Sequence, residues 1–260
     1  MGEGAGTIGK LIAIANQKGG VAKTTTAVNL SAWLSLMGQK VLLVDIDPQG
    51  NASTGVGVDK QEIELCIYDV LINGVPAREV IVPCAVEKLY LIPATIELAG
   101  AEVELVGAPD REKVLKKALG EIKEDYDYIF VDCPPSLGML TLNALTAADS
   151  VLIPIQCEYY ALEGLGQLMN TIQMVQQQLN PDLVLEGVLL TMFDGRTNLA
   201  IQVVDEIKKH FREKVYRSIV PRNVRLSEAP SHGKPVMVYD RRSRGAEAYQ
   251  ELAKEVMGIE

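Results

Sequence analysis

The chain has 260 residues, a net charge of −9 and a composition that is 48% hydrophobic but only 5% aromatic. Its length favours one large domain whose core is built mainly from aliphatic side chains. No apolar run approaches the roughly 18 residues of a membrane span. The four cysteines have neither the C-x-x-C spacing of a zinc site nor the pattern of a secreted disulfide framework. We therefore expect a cytoplasmic protein whose Gly-rich residues 1–9 are flexible.

Strand-like and helix-like patterns alternate along most of the chain. Strands are predicted near residues 11–16, 40–45, 88–92, 127–132, 150–155 and 184–192. Helices are predicted at 24–37, 66–72, 110–124, 138–147, 160–178 and 198–212, and a loop with a short helix at 97–109. Near-continuous apolar strands separated by helices are typical of a parallel sheet covered on both faces. Residues 10–260 are therefore predicted to form a single α/β domain, with a twisted, mostly parallel sheet flanked by helices on both faces.

The first loop with chemical character follows the apolar run 11–15 and precedes a helix. Its sequence is Lys18-Gly19-Gly20-Val21-Ala22-Lys23-Thr24-Thr25. Backbone N–H groups in such a loop form a nest for phosphate, and the helix amino terminus adds partial positive charge. Lys23 would reach the β- and γ-phosphates, and the Thr24 hydroxyl would ligate Mg²⁺. A Gly-containing turn with a surface lysine is the alternative.

An acidic loop, Asp45-Ile46-Asp47-Pro48-Gln49-Gly50-Asn51, follows the second predicted strand. The carboxyl ends of parallel strands face the ligand crevice of such a sheet. Asp47 could therefore hold a Mg²⁺-bound water or orient the attacking water. The alternative for Asp47, and more strongly for Asp45, is an aspartate that caps a helix or a turn.

A third motif ends the strand at 127–132, where Asp132 is followed by Cys133, Pro134 and Pro135. A buried strand that ends in aspartate is a Walker B arrangement, in which Asp132 would bind Mg²⁺ through water. The two prolines would stiffen a loop that senses the γ-phosphate. Three such motifs in this order, each at a strand end, indicate an ATPase or GTPase.

The charge is unevenly distributed along the chain. Residues 196–244 hold 12 Lys and Arg against 5 Asp and Glu, an excess of +7 within a total of −9, which leaves −16 for the rest. Such asymmetry indicates a surface that binds polyanions. A set of solvated helix faces is the alternative.

The phosphate loop resembles the deviant Walker A motif, K-G-G-x-G-K-[ST], of the ParA/MinD group of P-loop ATPases. In that group the first lysine crosses a dimer interface to the nucleotide of the partner subunit, and the resemblance gives this role to Lys18. It implies ATP and Mg²⁺ as cofactors. The implied catalytic residues are Lys18, Lys23 and Asp47. The implied metal-site residues are Thr24, Asp47 and Asp132. Ala22 stands where the group usually has glycine, and a Cβ there costs about 1 kcal/mol or more if φ is positive.

Three segments of the last third are similar to the chromosomal, Soj-like ParA proteins of this group: 189–198, 221–231 and 239–246. The resemblance thus spans residues 10–257. It implies that adenine and ribose are contacted by Pro221, Arg222 and Asn223. It also implies DNA-binding positions on the face made by the dimer. These are Arg196 and Arg225, with Arg222, Lys234, Arg241 and Arg242 as secondary candidates.

The function implied by the resemblance is DNA partition. Two subunits would sandwich two Mg·ATP molecules, and this ATP-dependent homodimer would bind double-stranded DNA at the nucleoid without sequence preference. A ParB-type centromere-binding protein with a short basic amino-terminal segment would stimulate an intrinsically slow hydrolysis. Whether the cargo is a chromosome or a plasmid is left open.

Three alternatives remain. A MinD-like positioning ATPase would end in a basic amphipathic membrane helix. Residues 246–256 instead have a modest apolar face and a mostly acidic polar face, which favours a helix docked on the core and no membrane partner. A ParA-like ATPase that positions another cargo is hardly distinguished by sequence. An iron–sulfur relative would need only two cysteines per subunit, which cysteine spacing does not exclude.

Overall fold

The computed structural model describes residues 9–158 and 161–259. In this part of the chain eight strands form one sheet, and they are β1 Lys10–Ile14, β2 Val41–Asp45, β3 Val82–Pro83, β4 Leu89–Ile92, β5 Tyr128–Asp132, β6 Ser150–Gln156, β7 Val184–Phe193 and β8 Val215–Pro221. The helices are α1 Lys23–Leu36, α2 Asn51–Gly55, α3 Ala77–Val80, α4 Leu98–Glu104, α5 Val114–Gly120, α6 Met139–Ala147, α7 Ala161–Gln178, α8 Asn198–Phe211, α9 Val224–Glu228, α10 Val236–Tyr239 and α11 Arg244–Met257. A π-helical turn spans Asp69–Asn73, and 3-10 turns span Leu105–Gly107, Lys123–Asp125, Arg212–Lys214 and Ala229–His232.

The strand order is β3-β4-β2-β5-β1-β6-β7-β8, and every pair is parallel except β3 with β4. The register places Asp132 at the end of β5 beside Ile14 of β1 and Asp45 of β2. The loops that follow β1, β2 and β5 therefore emerge side by side at one edge of the sheet. These are the three loops on which the sequence motifs lie.

Both faces of the sheet are covered, as predicted. Successive residues of β1 alternate between two cores, with Leu11 and Ala13 in one and Ile12 and Ile14 in the other. This alternation follows from the period of two along a strand. Helices α4 to α8 pack on the first face, and α1 and α11 pack on the second. The prediction of a mostly parallel α/β domain is confirmed.

Some predicted elements differ from those observed. The helix expected at 66–72 is largely a π-helical turn, and that expected at 110–124 contracts to α5 and a 3-10 turn. Strand β3 has two residues, and β8 is only partly buried, so neither carries the strong apolar run that identified the other strands. Of the segment expected to be flexible, residues 1–8 lie outside the described residues, and Gly9 is buried.

Helix α11 is docked on the core. Ser243 caps its first turn by accepting from the N–H of Ala246, and Tyr249 and Leu252 are fully buried. The Tyr249 hydroxyl lies 3.0 Å from the Thr26 hydroxyl on α1. The apolar face of α11 is thus used within the protomer, as the sequence predicted. Within residues 9–158 and 161–259, no helix has the length and apolar character that crossing a membrane requires.

Candidate nucleotide site

The loop between β1 and α1 is fixed by side-chain hydrogen bonds to the ends of neighbouring strands. The Asn16 amide donates to the Pro154 carbonyl at 2.7 Å and accepts from the Lys18 N–H at 3.0 Å. The Thr191 hydroxyl on β7 donates to the Val21 carbonyl at 3.1 Å. Neither Asn16 nor Thr191 was assigned a role in this loop from sequence, because their bonds to Pro154 and Val21 join residues 138 and 170 positions apart. The N–H groups of this loop can then face a bound anion.

Ala22 is in the left-handed region, with φ of 70° and ψ of 31°, immediately before α1. The neighbouring Gly20 also has positive φ, 72°. The positive φ considered from sequence for position 22 is therefore present. A Cβ in this region costs roughly 1–2 kcal/mol, so the loop is under strain at Ala22.

Replacing Ala22 with glycine is expected to raise the free energy of unfolding by about 1 kcal/mol, since relief of the Cβ strain exceeds the entropy that glycine adds to the unfolded chain. Urea denaturation measures this. The matched control is Ala118→Gly within α5, which is expected to lower stability by about 1 kcal/mol because glycine is a poor helix former. Equal destabilisation by both changes would contradict the strain at Ala22.

Lys23, the first residue of α1, is only 6% exposed. Its ammonium donates to the Lys18 carbonyl at 3.1 Å, so it spans the phosphate loop. Burial lowers the pKa of Lys23, and the carboxylates of Asp132 and Asp47 partly oppose that shift. Phosphate bound in the loop would restore a strong preference for the charged amine.

Asp132 is completely buried at the end of β5, and among the described residues neither of its carboxylate oxygens has a hydrogen-bond partner. Burial raises the pKa of Asp132 well above its usual range, and repulsion from Asp45 adds to the rise. The nearby Thr24 hydroxyl and the Lys23 ammonium partly oppose it. Two unpartnered buried oxygens beside a threonine hydroxyl suit a hydrated cation, because Mg²⁺ keeps most of its waters and takes few protein ligands. The residues present therefore fit the Mg²⁺ that the sequence implied.

Asp45 and Asp47 have different surroundings. Asp45 is fully buried and accepts from the N–H and the hydroxyl of Ser53, each at 2.8 Å. Burial raises the pKa of Asp45 to about 6, although these hydrogen bonds oppose the shift. Asp45 therefore fixes the start of α2, which agrees with the turn interpretation. Asp47 is 8% exposed and accepts from the Gln49 N–H at 2.9 Å, so it caps a turn while lying beside the site.

Lys18 lies at the rim of the site. Its side chain is one-third exposed, and its ammonium is 3.6 Å from Oε2 of Glu158. The other oxygen of Glu158 is 3.5 Å from the Arg222 guanidinium and accepts from the Gln156 amide at 2.6 Å. Glu158 thus joins the phosphate loop, the end of β6 and the end of β8. No sequence motif marked it.

The predicted adenine segment lies next to the phosphate loop. A cavity of about 240 Å³ is lined by Ala22, Thr25, Met192, Val220, Pro221, Arg222, Asn223, Leu226, Ser227 and Pro230. It brings 221–223 into one concave surface with the start of α1. Asn223 also caps α9 by accepting from the Arg225 N–H at 2.9 Å. Its lining combines apolar side chains, such as Met192 and Leu226, with polar ones, such as Thr25 and Asn223, which suits a nucleoside.

A family model described as an AAA domain matches residues 9–185. The chain is 64% identical over 249 residues to the sporulation initiation inhibitor protein Soj of Bacillus subtilis (strain 168), covering 96% of this chain and 98% of that protein. It is 57% identical over 251 residues to the chromosome partitioning protein ParA of Myxococcus xanthus (strain DK1622), covering 96% and 89%.

The chain belongs to the ParA/Soj family of chromosome-partitioning ATPases. A structure of cobyrinic acid a,c-diamide synthase from Mycobacterium smegmatis, with a bound ATP analogue and magnesium, has a TM-score of 0.85 at 40% identity and covers 96% of this chain and 95% of that one. The name of that synthase describes a reaction other than chromosome partitioning. The family assignment rests on the partition proteins, whose identity to this chain is higher. The prediction of a P-loop ATPase of this family is confirmed.

In this ParA/Soj chain, two predicted DNA-binding arginines are engaged within the protomer. Arg196 is bound to Asp194 through two hydrogen bonds of 2.8 and 2.6 Å. Arg225 pairs with Glu228 at 2.8 Å and with Asp240 at 3.2 Å. Any phosphate that Arg225 binds must compete with these carboxylates.

The remaining candidates, Lys234, Arg241 and Arg242, are exposed. The Arg241 guanidinium lies 5.6 Å from the centre of the Trp33 ring on α1. This segment is also fixed to α1 by Asn29, which accepts from the Val236 N–H at 2.7 Å and donates to the Thr25 carbonyl at 2.7 Å. The segment that holds the predicted DNA-binding residues is therefore attached to the helix that begins at the phosphate loop.

Proposed function

We propose that this ATPase dimerises when it binds ATP, and that the dimer binds double-stranded DNA without sequence preference and segregates it. Hydrolysis would then dissolve the dimer and release the DNA. The observation that carries the proposal is the convergence of Lys18, Lys23, Asp47 and Asp132 at one sheet edge in a chain of this family. The nucleoid is the location that follows from such DNA binding.

Within one protomer, the chain's own residues account for binding and positioning. Lys23 and the loop N–H groups would hold the phosphates, and Asp47 would orient the attacking water. Mg²⁺ held by Thr24 and, through water, by Asp132 would neutralise charge on the phosphate oxygens. Asp47 is the one candidate for activating water that the motifs offer, so slow turnover and stimulation by a ParB-type partner are expected.

Dimerisation gives Lys18 its proposed role. The Lys18 side chain is one-third exposed at the rim, so it can move away from Glu158 and reach nucleotide bound to the partner subunit. A cation there would stabilise charge that develops at the γ-phosphate. The proposal therefore needs two subunits that face each other across the nucleotide sites.

The mass in solution tests this step. Light scattering of the Asp47→Ala variant, which should hold ATP without turning it over, is expected to give twice the 28.3 kDa of one chain with ATP and one chain mass with ADP. The same mass with both nucleotides would contradict nucleotide-controlled dimerisation.

Because Glu228 and Asp240 pair with Arg225, removing one of these carboxylates should increase the affinity for DNA. Glu228→Gln is expected to tighten ATP-dependent DNA binding about threefold or more at low salt, because it removes one of the two carboxylates that pair with Arg225 and a negative charge near the DNA. Fluorescence anisotropy of a random-sequence duplex measures the change. The matched control is Glu251→Gln, which breaks the similar pair of Glu251 with Lys254 on α11 and should leave affinity unchanged.

Weaker DNA binding by Glu228→Gln would contradict a role for Arg225 in contacting phosphate. An equal gain by both variants would indicate a general effect of net charge. Either result would show that loss of the Glu228 carboxylate beside Arg225 does not specifically strengthen DNA binding.

A MinD-like membrane role finds less support. The apolar residues of α11 that would enter a lipid surface are buried against α1 in this structure. The positioning of a cargo other than DNA stays an alternative, which the DNA-binding measurement separates from the leading proposal.

A further inference from the structure

Helix α4 has two apolar faces. Leu98, Ala101 and Leu105 are buried in the core. On the opposite side Ile96 and Val103 are 68% and 76% exposed, the highest values for large apolar side chains in the part of the chain that the structure describes. Val106 is 55% exposed, and Ala99 lies between them. Ile96 lies in the turn before α4 and Val106 in the 3-10 turn after it. At helical spacing, positions 96, 99, 103 and 106 lie on one side of this segment, which we call the outer α4 face.

An exposed apolar stripe of this kind usually marks an interaction site. Residues 89–110 contain Glu97, Glu102, Glu104 and Asp110 and no Lys or Arg. The next residue, Arg111, donates to the Val106 carbonyl at 2.9 Å, so one cation lies at the carboxyl-terminal end of the face, and the end near Glu97 and Glu104 is acidic. A symmetric contact between two copies of this face would bring Glu97 and Glu104 of one copy near the same carboxylates of the other, and like charges oppose such a contact. The charge instead complements a cationic segment that has an apolar side.

The helix is hydrogen-bonded to the loop that follows Asp132. The Glu102 carboxylate accepts from the N–H groups of Met139 and Leu140, at 2.7 and 3.4 Å, at the start of α6. A Cβ on Gly138 would lie 2.5 Å from the Glu102 oxygens, so the two segments are closely packed. Movement of α4 would therefore be transmitted to the end of the 133–138 loop.

The segment that leads into α4 is connected to the loop that carries Asp47. The Ala94 N–H donates to the Ser53 hydroxyl at 3.1 Å, and the same hydroxyl donates to Asp45 at 2.8 Å. On the same side, Gly50 has φ of 58°, and a Cβ there would lie 2.7 Å from the Ala94 carbonyl oxygen. Helix α4 is thus connected to the loops that follow β2 and β5 at the nucleotide site.

We propose that the outer α4 face is the docking surface for a cationic amphipathic segment of the partner that stimulates hydrolysis, and that docking acts on both catalytic loops through Ser53 and Glu102. This inference rests on the proposed function, because it places the partner contact of the same ATPase cycle. No role was assigned from sequence to the loop and short helix at 97–109, and docking of the partner segment gives α4 one.

The test uses Val103→Lys, which sets a like charge against a cationic partner without touching the nucleotide site. Its matched control is Val184→Lys, at a valine 54% exposed at the first residue of β7, at the opposite edge of the sheet. The probe is a synthetic peptide of the basic amino-terminal segment of the cognate ParB-type protein. Basal hydrolysis and ATP-dependent DNA binding are measured first, and then the peptide concentration that gives half-maximal stimulation.

Wild type and Val184→Lys should respond alike, whereas Val103→Lys should need about tenfold more peptide, with basal hydrolysis and DNA binding unchanged. Hydrogen exchange should slow at 45–53 and 133–140 when peptide binds wild type. An unchanged response of Val103→Lys would overturn the docking surface while leaving the proposed function intact. If Val103→Lys folds poorly, Ile96→Lys makes the same test.

Measurements on the wild-type protein distinguish failure of the proposed function from failure of the docking proposal. Absence of ATP-dependent DNA binding before any peptide is added would refute the proposed function itself. Normal DNA binding without peptide stimulation would reject the cationic partner, and the outer α4 face would lose its assigned role.

Discussion

Replacing Lys18 with alanine is expected to lower the kcat of ATP hydrolysis by about 100-fold or more. In an enclosed site, a single cation can stabilise the charge that develops at the γ-phosphate in the transition state by an equivalent free energy. Affinity of a single protomer for ATP should change less than about threefold, since the protomer's own phosphates are held by Lys23 and the loop N–H groups. Steady-state hydrolysis and binding of a fluorescent ATP analogue measure the two effects separately.

Mixing two inactive variants shows whether Lys18 acts across the dimer. In a heterodimer of Lys18→Ala with Asp47→Ala, the nucleotide bound to the Lys18→Ala subunit keeps its own Asp47 and receives Lys18 from the other subunit. One of the two sites is then complete. An equal mixture should recover about a quarter of wild-type activity, because half of the dimers are mixed and each has one complete site. If Lys18 served its own protomer, no site in any dimer would be complete and the mixture would stay inactive.

Asp47→Ala should lower kcat by about 100-fold or more while ATP-dependent dimerisation and DNA binding persist, because removing a group that orients water affects the chemical step rather than nucleotide binding. The side chain is nearly buried beside Lys23 and Asp132, which leaves it facing the site rather than solvent. Single-turnover hydrolysis with saturating ATP measures the chemical step directly.

Asp59→Ala is the matched control, because Asp59 is an exposed aspartate that likewise caps a local turn, accepting from the Gln61 N–H at 2.9 Å. It should hydrolyse ATP at the wild-type rate. Hydrolysis by Asp47→Ala within about threefold of wild type would contradict its catalytic role and leave only its turn-capping hydrogen bond to Gln49.

The central sheet and the three loops could be predicted from sequence because their signals are local. Continuous apolar runs identified the parallel strands, and each motif directly follows one of them. Parallel register then brings the strand ends together, as the alignment of Ile14, Asp45 and Asp132 shows. The roles assigned to Lys18, Lys23 and Asp47 stay predictions until the variants are measured.

The site residues that could not be predicted from sequence contact residues far from them along the chain. Glu158 meets Lys18 and Arg222 across separations of 140 and 64 residues, and Asn16 meets Pro154 across 138. Spacing within a motif carries no information about such contacts. The pairing of Arg225 with Asp240 was equally hidden, because it depends on how a loop folds back on itself.

The central claim is tested most directly by fluorescence anisotropy of a random-sequence duplex, titrated with Asp47→Ala at low and moderate salt, with ATP and then with ADP. The proposal predicts tight, salt-sensitive binding with ATP alone, which is lost in the combined Asp47→Ala, Arg225→Ala variant. Binding should be kept when the second change is Arg217→Ala, at an exposed arginine of β8 outside the predicted DNA-binding set. Absence of binding with either nucleotide, once nucleotide binding is confirmed, would contradict a DNA-carrying ATPase.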